Sequence, residues 1–314
     1  MSFDFTPYGY NYTLTKTSPL LKQVSRLSSV ISISKHELVT KKATYTFEKK
    51  LGAGSFGTTY KAISNKKEFA IKKIKPSDSR RLWYSIKEVI LQILLYDATK
   101  DLPDGPYVPQ VFEIAYNAKK HVLYIIQEMM DGTLESLINH RTKEENETQL
   151  LDDFDIIASQ LEWLGTNLQF NHRDFKSDNI MYKKNSKGYT LRLIDFGMSC
   201  MTWNGIHLQA ASTLFPTSHT CYRPSRDLSA LFFEISDYVN SHLSKETRNL
   251  LHEFVILRVN GKNMNMLKEL DWSNTYNFLN RKNVENPKAT PTRVRKTIKS
   301  SKHQHRFTKK RCRH

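Results

Sequence analysis

Cysteine is scarce in this chain, and so are the patterns that would put it to work. The three present, Cys200, Cys221 and Cys312, make no disulfide framework and lack the spacing of a metal site, so a reducing intracellular compartment, cytoplasmic or nuclear, is expected. No apolar run approaches the ~20 residues of a membrane-spanning helix, and no membrane association is expected. The start of the chain has no basic segment leading into an apolar one, so no secretory signal is expected either. Acid is missing from the end: from Lys288 onward there are eleven lysines and arginines and no aspartate or glutamate. The formal charge of +17 is therefore concentrated in the tail, and the body is only mildly basic. No internal repeat is visible.

What is present is enough for a sizeable core. With 314 residues, 39% hydrophobic and 25% charged, the composition is that of a globular protein with polar ends. Its most informative stretch runs from Asn171 to Gly197. There His172-Arg173-Asp174-Phe175-Lys176-Ser177-Asp178-Asn179 is followed by a polar hairpin turn, Asn185-Ser186-Lys187-Gly188, and then by Ile194-Asp195-Phe196-Gly197. Asp174 can accept a proton, Lys176 can neutralise phosphate charge, and Asn179 and Asp195 offer oxygens to a hard cation such as Mg²⁺. Phosphoryl transfer needs that equipment, because its catalysis is mostly positioning and charge neutralisation.

The two motifs, in this order and with a strand-turn-strand between them, resemble the catalytic loop and metal-binding turn of the eukaryotic-type protein kinases, H-R-D-x-K-x-x-N and D-F-G. The resemblance runs from about Phe47 to Ile235. It implies an α+β, two-lobed kinase-like fold, with a small β-rich N-lobe carrying one main helix and a reduced, mainly helical C-lobe. The expected layout is an N-terminal extension over 1–42, the N-lobe over 43–130, the C-lobe over 131–286 and a basic, disordered tail over 287–314.

Along the N-lobe, Gly52, Gly54 and Gly57 form G-x-G-x-x-G, spaced by Ala53, Ser55 and Phe56. A dinucleotide fingerprint would need a helix straight after the last glycine. Thr58-Thr59-Tyr60-Lys61-Ala62 is β-prone instead, which favours a strand-loop-strand flap over a nucleotide. Thr59 stands where the kinase pattern has valine. Ala70 and Lys72 alternate on one strand face, with Lys73 on the other, and the resemblance makes Lys72 the phosphate-binding lysine. Arg80 to Tyr96 has helical spacing, and Glu88, its only carboxylate, is the expected partner of Lys72. Gln92, one turn on, replaces the apolar residue usual there. The strand Val122–Ile126 leads into Gln127-Glu128-Met129-Met130, expected to be the hinge. Backbone groups near Glu128 and Met130 would bond the adenine edge, Gln127 would limit access to the back of the pocket, and Met181 would pack on the far face of the base. Leu134–Ile138 and Leu150–Leu168 read as helices, with a charged loop between them through Thr148.

Beyond Gly197 the pattern thins. A-P-E is absent from the Ser/Thr-rich stretch Met198–Thr220, and Asp227 is matched to the helix-starting aspartate, where it would serve as an N-cap. Arg173 would pair with a phosphate on Thr213, Thr217, Ser218 or Thr220, although an unmodified loop fits the composition equally. Lys176, two residues after Asp174, is the Ser/Thr-type arrangement. The resemblance thus implies a monomeric enzyme using ATP and Mg²⁺ or Mn²⁺ to phosphorylate Ser or Thr of a protein substrate. Two other readings have their own motives: a kinase-like small-molecule phosphotransferase, because A-P-E is missing, and a pseudokinase scaffold, because Thr59 and Gln92 are unusual. The tail, Arg293-Val294-Arg295-Lys296 to Lys309-Lys310-Arg311-Cys312-Arg313, reads as a solvated end, an import signal, or an electrostatic clamp on nucleic acid or acidic partners. The compact second lobe and Asn/Lys-rich composition are similar to those of kinases of large DNA viruses, which would place the protein in a host cell or virion.

Overall fold

The computed structural model describes residues 27–54, 57–186, 188–212 and 217–260. Ser55, Phe56, Thr213, the first 26 residues and the basic tail lie outside the described residues.

The N-lobe is a seven-stranded closed barrel in the order β1-β2-β3-β4-β5-β7-β6. Its strands are β1 (Leu27–Ile33), β2 (Glu37–Thr40), β3 (Thr44–Gly54), β4 (Gly57–Ser64), β5 (Lys67–Ile74), β6 (Val111–Asn117) and β7 (Val122–Glu128). Every neighbouring pair is antiparallel except β1 with β6, where Leu27 lies beside Ile114 and Ser29 beside Tyr116. This moves the lobe's boundary. Residues 27–40, expected within an extension, supply the two strands that cover the edge of β6 and close the sheet, which leaves it no unpaired edge. The alternation of Glu37–Thr40, with Leu38 wholly buried inside the barrel beside Tyr45, Ile71 and Ile126, was the signal for it.

Between β5 and β6 runs α1 (Ser79–Thr99), longer than its apolar spacing predicts because Asp78 caps it, accepting from the Arg81 N–H at 2.8 Å. Its buried face (Leu82, Ile86, Ile90, Ile93, Leu94) joins the larger core, which continues into the helical lobe through Leu150, Phe154, Phe196 and Leu231. In that lobe β8 (Gly132–Thr133) leads into α2 (Leu134–His140) and then α3 (Lys143–Leu168). The charged loop expected before Leu150 is instead the first two turns of α3. Thr142 and Glu145 form a reciprocal capping box there, and Glu144 and Glu145 sit favourably at the positive end of the helix dipole.

The hairpin β9 (Ile180–Asn185) and β10 (Gly188–Leu193) lies between the catalytic-loop motif and Asp195. A second hairpin follows, β11 (Cys200–Trp203) and β12 (Ile206–Gln209), and the lobe continues with α4 (Arg226–Glu234), α5 (Ser236–His242) and α6 (Lys245–Asn260). The segment after Gly197 is therefore partly ordered β structure. Asn204-Gly205, both at positive φ, make its two-residue turn. Cys200 and Cys221 are joined in a disulfide, which corrects the reading of the cysteines as forming no cross-link.

Candidate active site

On the N-lobe side, β3 and β4 form the glycine flap. Gly57, at φ +147°, passes so close to the next strand that a Cβ there would lie 2.4 Å from the Lys73 carbonyl oxygen. Around Gly52 and Gly54, by contrast, a Cβ would meet nothing within 4 Å, so their backbone borders open space into which a phosphate chain could fit. Ala53 lies between them, opposite Thr58. Strand register places Thr59 beside Lys72 and Lys72 beside Ile125, with Ala70 beside Gln127, so these side chains share one sheet face.

Lys72 Nζ donates to Glu88 Oε1 at 2.7 Å, and the Glu88 residue is only 6% exposed. Burial by itself pulls the Lys72 ammonium down. The charges of Glu88 and Asp195, with the hydrogen bond to Glu88, outweigh that and hold it above its ordinary value. Asp195 thus lies within electrostatic reach of the pair. A Cβ built on Gly197 would be 3.6 Å from Asp195 Oδ1 and 3.7 Å from Glu88 Oε2, so carboxylates from the two lobes converge on one small volume.

The hinge segment follows β7. The Glu128 N–H is already committed to the Gln110 carbonyl at 2.9 Å, and its carboxylate accepts from Arg192 of β10 at 2.6 Å. The Met130 backbone N–H and C=O make no hydrogen bond among the described residues and are available to a base edge. Met181 of β9 sits across from Thr133 and Arg192, on the C-lobe side.

In the C-lobe the catalytic-loop motif is held from below. Asp227, 3% exposed, accepts from Asn171 Nδ2 at 3.0 Å, the His172 N–H at 2.7 Å and the Arg173 N–H at 2.9 Å. It is not the N-cap expected: α4 starts from Ser225, and the aspartate, in the first turn, turns its carboxylate onto the loop. Arg173 (φ 71°) and Asp195 (φ 64°) both adopt left-handed backbone, which costs a non-glycine residue about 1–2 kcal/mol and is sustained here by the surrounding bonds. Asn179 Nδ2 donates to the Asp174 carbonyl at 2.8 Å, with Asp174 Oδ2 at 3.3 Å, and Lys176 Nζ lies 3.7 Å from Asp174 Oδ2. Asp174 is about half exposed, so its carboxylate faces the open cleft. The Ile194 N–H donates to the Asn179 carbonyl at 3.0 Å, and His172 Nε2 pairs with the Ile194 carbonyl at 2.7 Å, stitching the loop to the turn that carries Asp195.

The donor set fits a nucleoside triphosphate with a hard divalent cation. Asn179 and Asp195 would hold the cation, Lys72 the phosphates and Met130 the base edge. Several working parts escaped sequence reasoning: the Asp227 clamp, the Glu128–Arg192 pair between hinge and C-lobe, the Cys200–Cys221 bond, and a contact between Gln92 and Gln127. Arg173 lies near Arg223 and Arg226. Burial and the repulsion of Arg226 and Arg223 pull its guanidinium down, against the attraction of Asp227. Of the candidate phosphate acceptors, Ser218 and Thr220 are exposed, while the Thr217 hydroxyl already bonds the His207 and His219 carbonyls.

The two lobes thus bring together a paired lysine, two candidate metal ligands and a candidate proton acceptor. Residues 45–220 match the protein kinase domain family, and the chain belongs to it. It is 29% identical over 171 residues to the probable serine/threonine-protein kinase fhkB of Dictyostelium discoideum, a match covering 52% of this chain and 14% of that protein. Calcium-dependent protein kinase 5 of Plasmodium berghei is 30% identical over 163 residues, 51% of this chain and 27% of that one. Serine/threonine-protein kinase 33 of Mus musculus is 31% identical over 165 residues, 49% and 31% respectively. The chain matches less than a third of the length of each of these relatives. Asp227 lies beyond the residues that match the family, yet it holds the family's central motif.

Proposed function

We propose that this protein kinase uses ATP and Mg²⁺, with Mn²⁺ as a substitute, to phosphorylate Ser or Thr hydroxyls of protein substrates. The observation that carries the reading is the convergence of the Lys72–Glu88 pair on Asp195, whose turn is bonded through Ile194 to Asn179 of the loop that carries Asp174. When bound, the nucleotide supplies the transferable γ-phosphoryl group and the cation neutralises its oxygens. Glu88 keeps Lys72 charged and extended toward the phosphates. Gly52, Gly54 and Gly57 let the flap backbone close over them. Asp174, exposed and oriented by Asn179, accepts the proton of the incoming hydroxyl, and Lys176 beside it neutralises charge on the group in transit. The Ser/Thr preference rests on Lys176 and on the serine/threonine-protein kinases among the relatives. The basic tail would add an electrostatic tether for acidic partners or nucleic-acid phosphates.

Incubation with labelled ATP, Mg²⁺ and generic basic and acidic proteins, followed by phosphosite mapping, tests the reading. Label on Ser or Thr, lost in Lys72→Met and Asp174→Asn, is expected. Wild type labelling no better than Asp174→Asn would overturn it.

A further inference from the structure

Two residues that depart from the usual pattern meet each other. Gln92, 6% exposed on α1, donates through Nε2 to the Pro109 carbonyl at 2.9 Å and to Gln127 Oε1 at 3.1 Å. Glutamine amides can face either way, but this pair cannot. The Pro109 carbonyl is an acceptor only, so it fixes which end of the Gln92 amide faces it. The second N–H of that same nitrogen then requires an acceptor, which turns the Gln127 oxygen toward Gln92 and its –NH₂ away. Among the described residues the Gln127 amide nitrogen makes no hydrogen bond. Register puts Gln127 beside Ala70 on the sheet face that carries Lys72, near the end of β7.

We propose that Gln127, oriented by Gln92 and the Pro109 carbonyl, is a specificity-determining residue that presents an amide N–H to the 6-position of a bound purine, so that 6-oxo purine triphosphates are accepted alongside ATP. This rests on the nucleotide-binding reading above. An adenine edge-on to Met130 would carry its 6-amino group, a donor, toward Gln127, where it would meet a second donor. A 6-oxo group is an acceptor and matches the amide. One such match or mismatch changes affinity by about tenfold.

The test is equilibrium binding of ATP, GTP and ITP, each with Mg²⁺, to the full chain, which requires no turnover. Wild type is expected to bind ITP and GTP within about tenfold of ATP. Gln127→Glu keeps the oxygen that receives Gln92 but replaces the outward donor by an acceptor, and should move the ITP-to-ATP affinity ratio toward ATP by about tenfold. Gln127→Met, which removes both, should move the ratio the same way by less. It serves as the test if Gln127→Glu does not fold. Gln92→Leu, which releases the amide, should lower the ratio in wild type and leave it unchanged in the Gln127→Met background. A ratio that stays constant in the Gln127 variants while ATP still binds overturns the inference alone. Failure of the wild type to bind any of the three nucleotides overturns the nucleotide-site reading itself.

Discussion

Substituting Asp227 by alanine isolates the device that holds the catalytic loop. Its carboxylate receives three donors, two of them backbone N–H groups of consecutive residues, in a position 3% exposed. Hydrogen bonds to a charged group contribute about 1.5–3 kcal/mol each, but three made by one carboxylate to one loop are not independent. Removing a buried charge also recovers part of its desolvation cost. Stranding three buried donors, at about 1–3 kcal/mol each, outweighs that recovery, and the balance is a loss of about 3–5 kcal/mol. A domain stable by about 5–15 kcal/mol would stay folded, with its loop released from the left-handed turn at Arg173. Urea unfolding should therefore show a lower midpoint at unchanged slope. Turnover should fall by at least about 100-fold, because Asp174 loses its position. ATP affinity should hold within about threefold, because Lys72, Glu88 and the hinge are untouched by a change of under one kcal/mol at their site. Asp227→Asn, which keeps an acceptor without the charge, should fall between the two. An Asp227→Ala protein with wild-type urea midpoint and turnover would refute the clamp.

Reduction, or Cys200→Ser with Cys221→Ser, should lower stability by about 3 kcal/mol, the loop-closure term for a cross-link of 21 residues, read as a shift in urea midpoint between oxidised and reduced protein. Identical midpoints would mean the thiols are not joined. Burial pulls the Lys87 ammonium down to about 8, so above that pH the folded chain has released a proton that the unfolded chain still holds. Stability should rise between about pH 8 and 10 on this account, and the difference in unfolding free energy, Lys87→Met minus wild type, should shrink over that window. A pH-independent difference would contradict it. Gly57→Ala should weaken ATP binding and lower the melting temperature, because its Cβ would strike the Lys73 carbonyl. Gly52→Ala should leave the melting temperature within about 1 °C, and circular-dichroism melts of the two separate the cases. Asp153, wholly buried and bonded to Arg141 at 2.6 Å, should cost about 3–5 kcal/mol as Asp153→Ala without changing the KM for ATP, so urea unfolding and kinetics should disagree in that variant.

What could be read in the sequence was whatever local pattern dictates. β-prone composition exposed β4, alternation exposed β5, apolar spacing exposed α1, and the spacing within His172–Asn179 fixed which side chains a single loop could present. The Lys72–Glu88 pairing followed because α1 offers one carboxylate within its apolar pattern. Features hidden from the sequence all depend on where distant segments meet. Nothing local says that Leu27–Ile33 will lie parallel to β6, since the closing contact spans most of the N-lobe. An aspartate at the start of α4 looks like a cap whether its carboxylate turns to its own helix or to a loop more than 50 residues earlier. The start of α3 was legible in principle, because Thr142 and Glu145 have capping-box spacing, but the density of charge around them reads as a loop when only apolar periodicity is followed.

The missing A-P-E does not leave the segment after Gly197 without an anchor. Asn171, immediately before His172, exchanges two backbone bonds with Cys200 at 3.0 and 2.9 Å. Its side-chain oxygen accepts from the Arg223 N–H, and its side-chain nitrogen donates to Asp227. One buried amide therefore touches the beginning of the segment, its end and the helix beneath, and the Cys200–Cys221 bond joins the first two covalently. Gly165 adds a steric match, since a Cβ there would lie 2.5 Å from the Tyr222 hydroxyl, so Tyr222 packs directly against α3. The bonds of Asn171 end one residue before His172-Arg173-Asp174. The bonds of Asn171 and Asp227 therefore tie both ends of the segment to the backbone of His172 and Arg173, next to the proposed base.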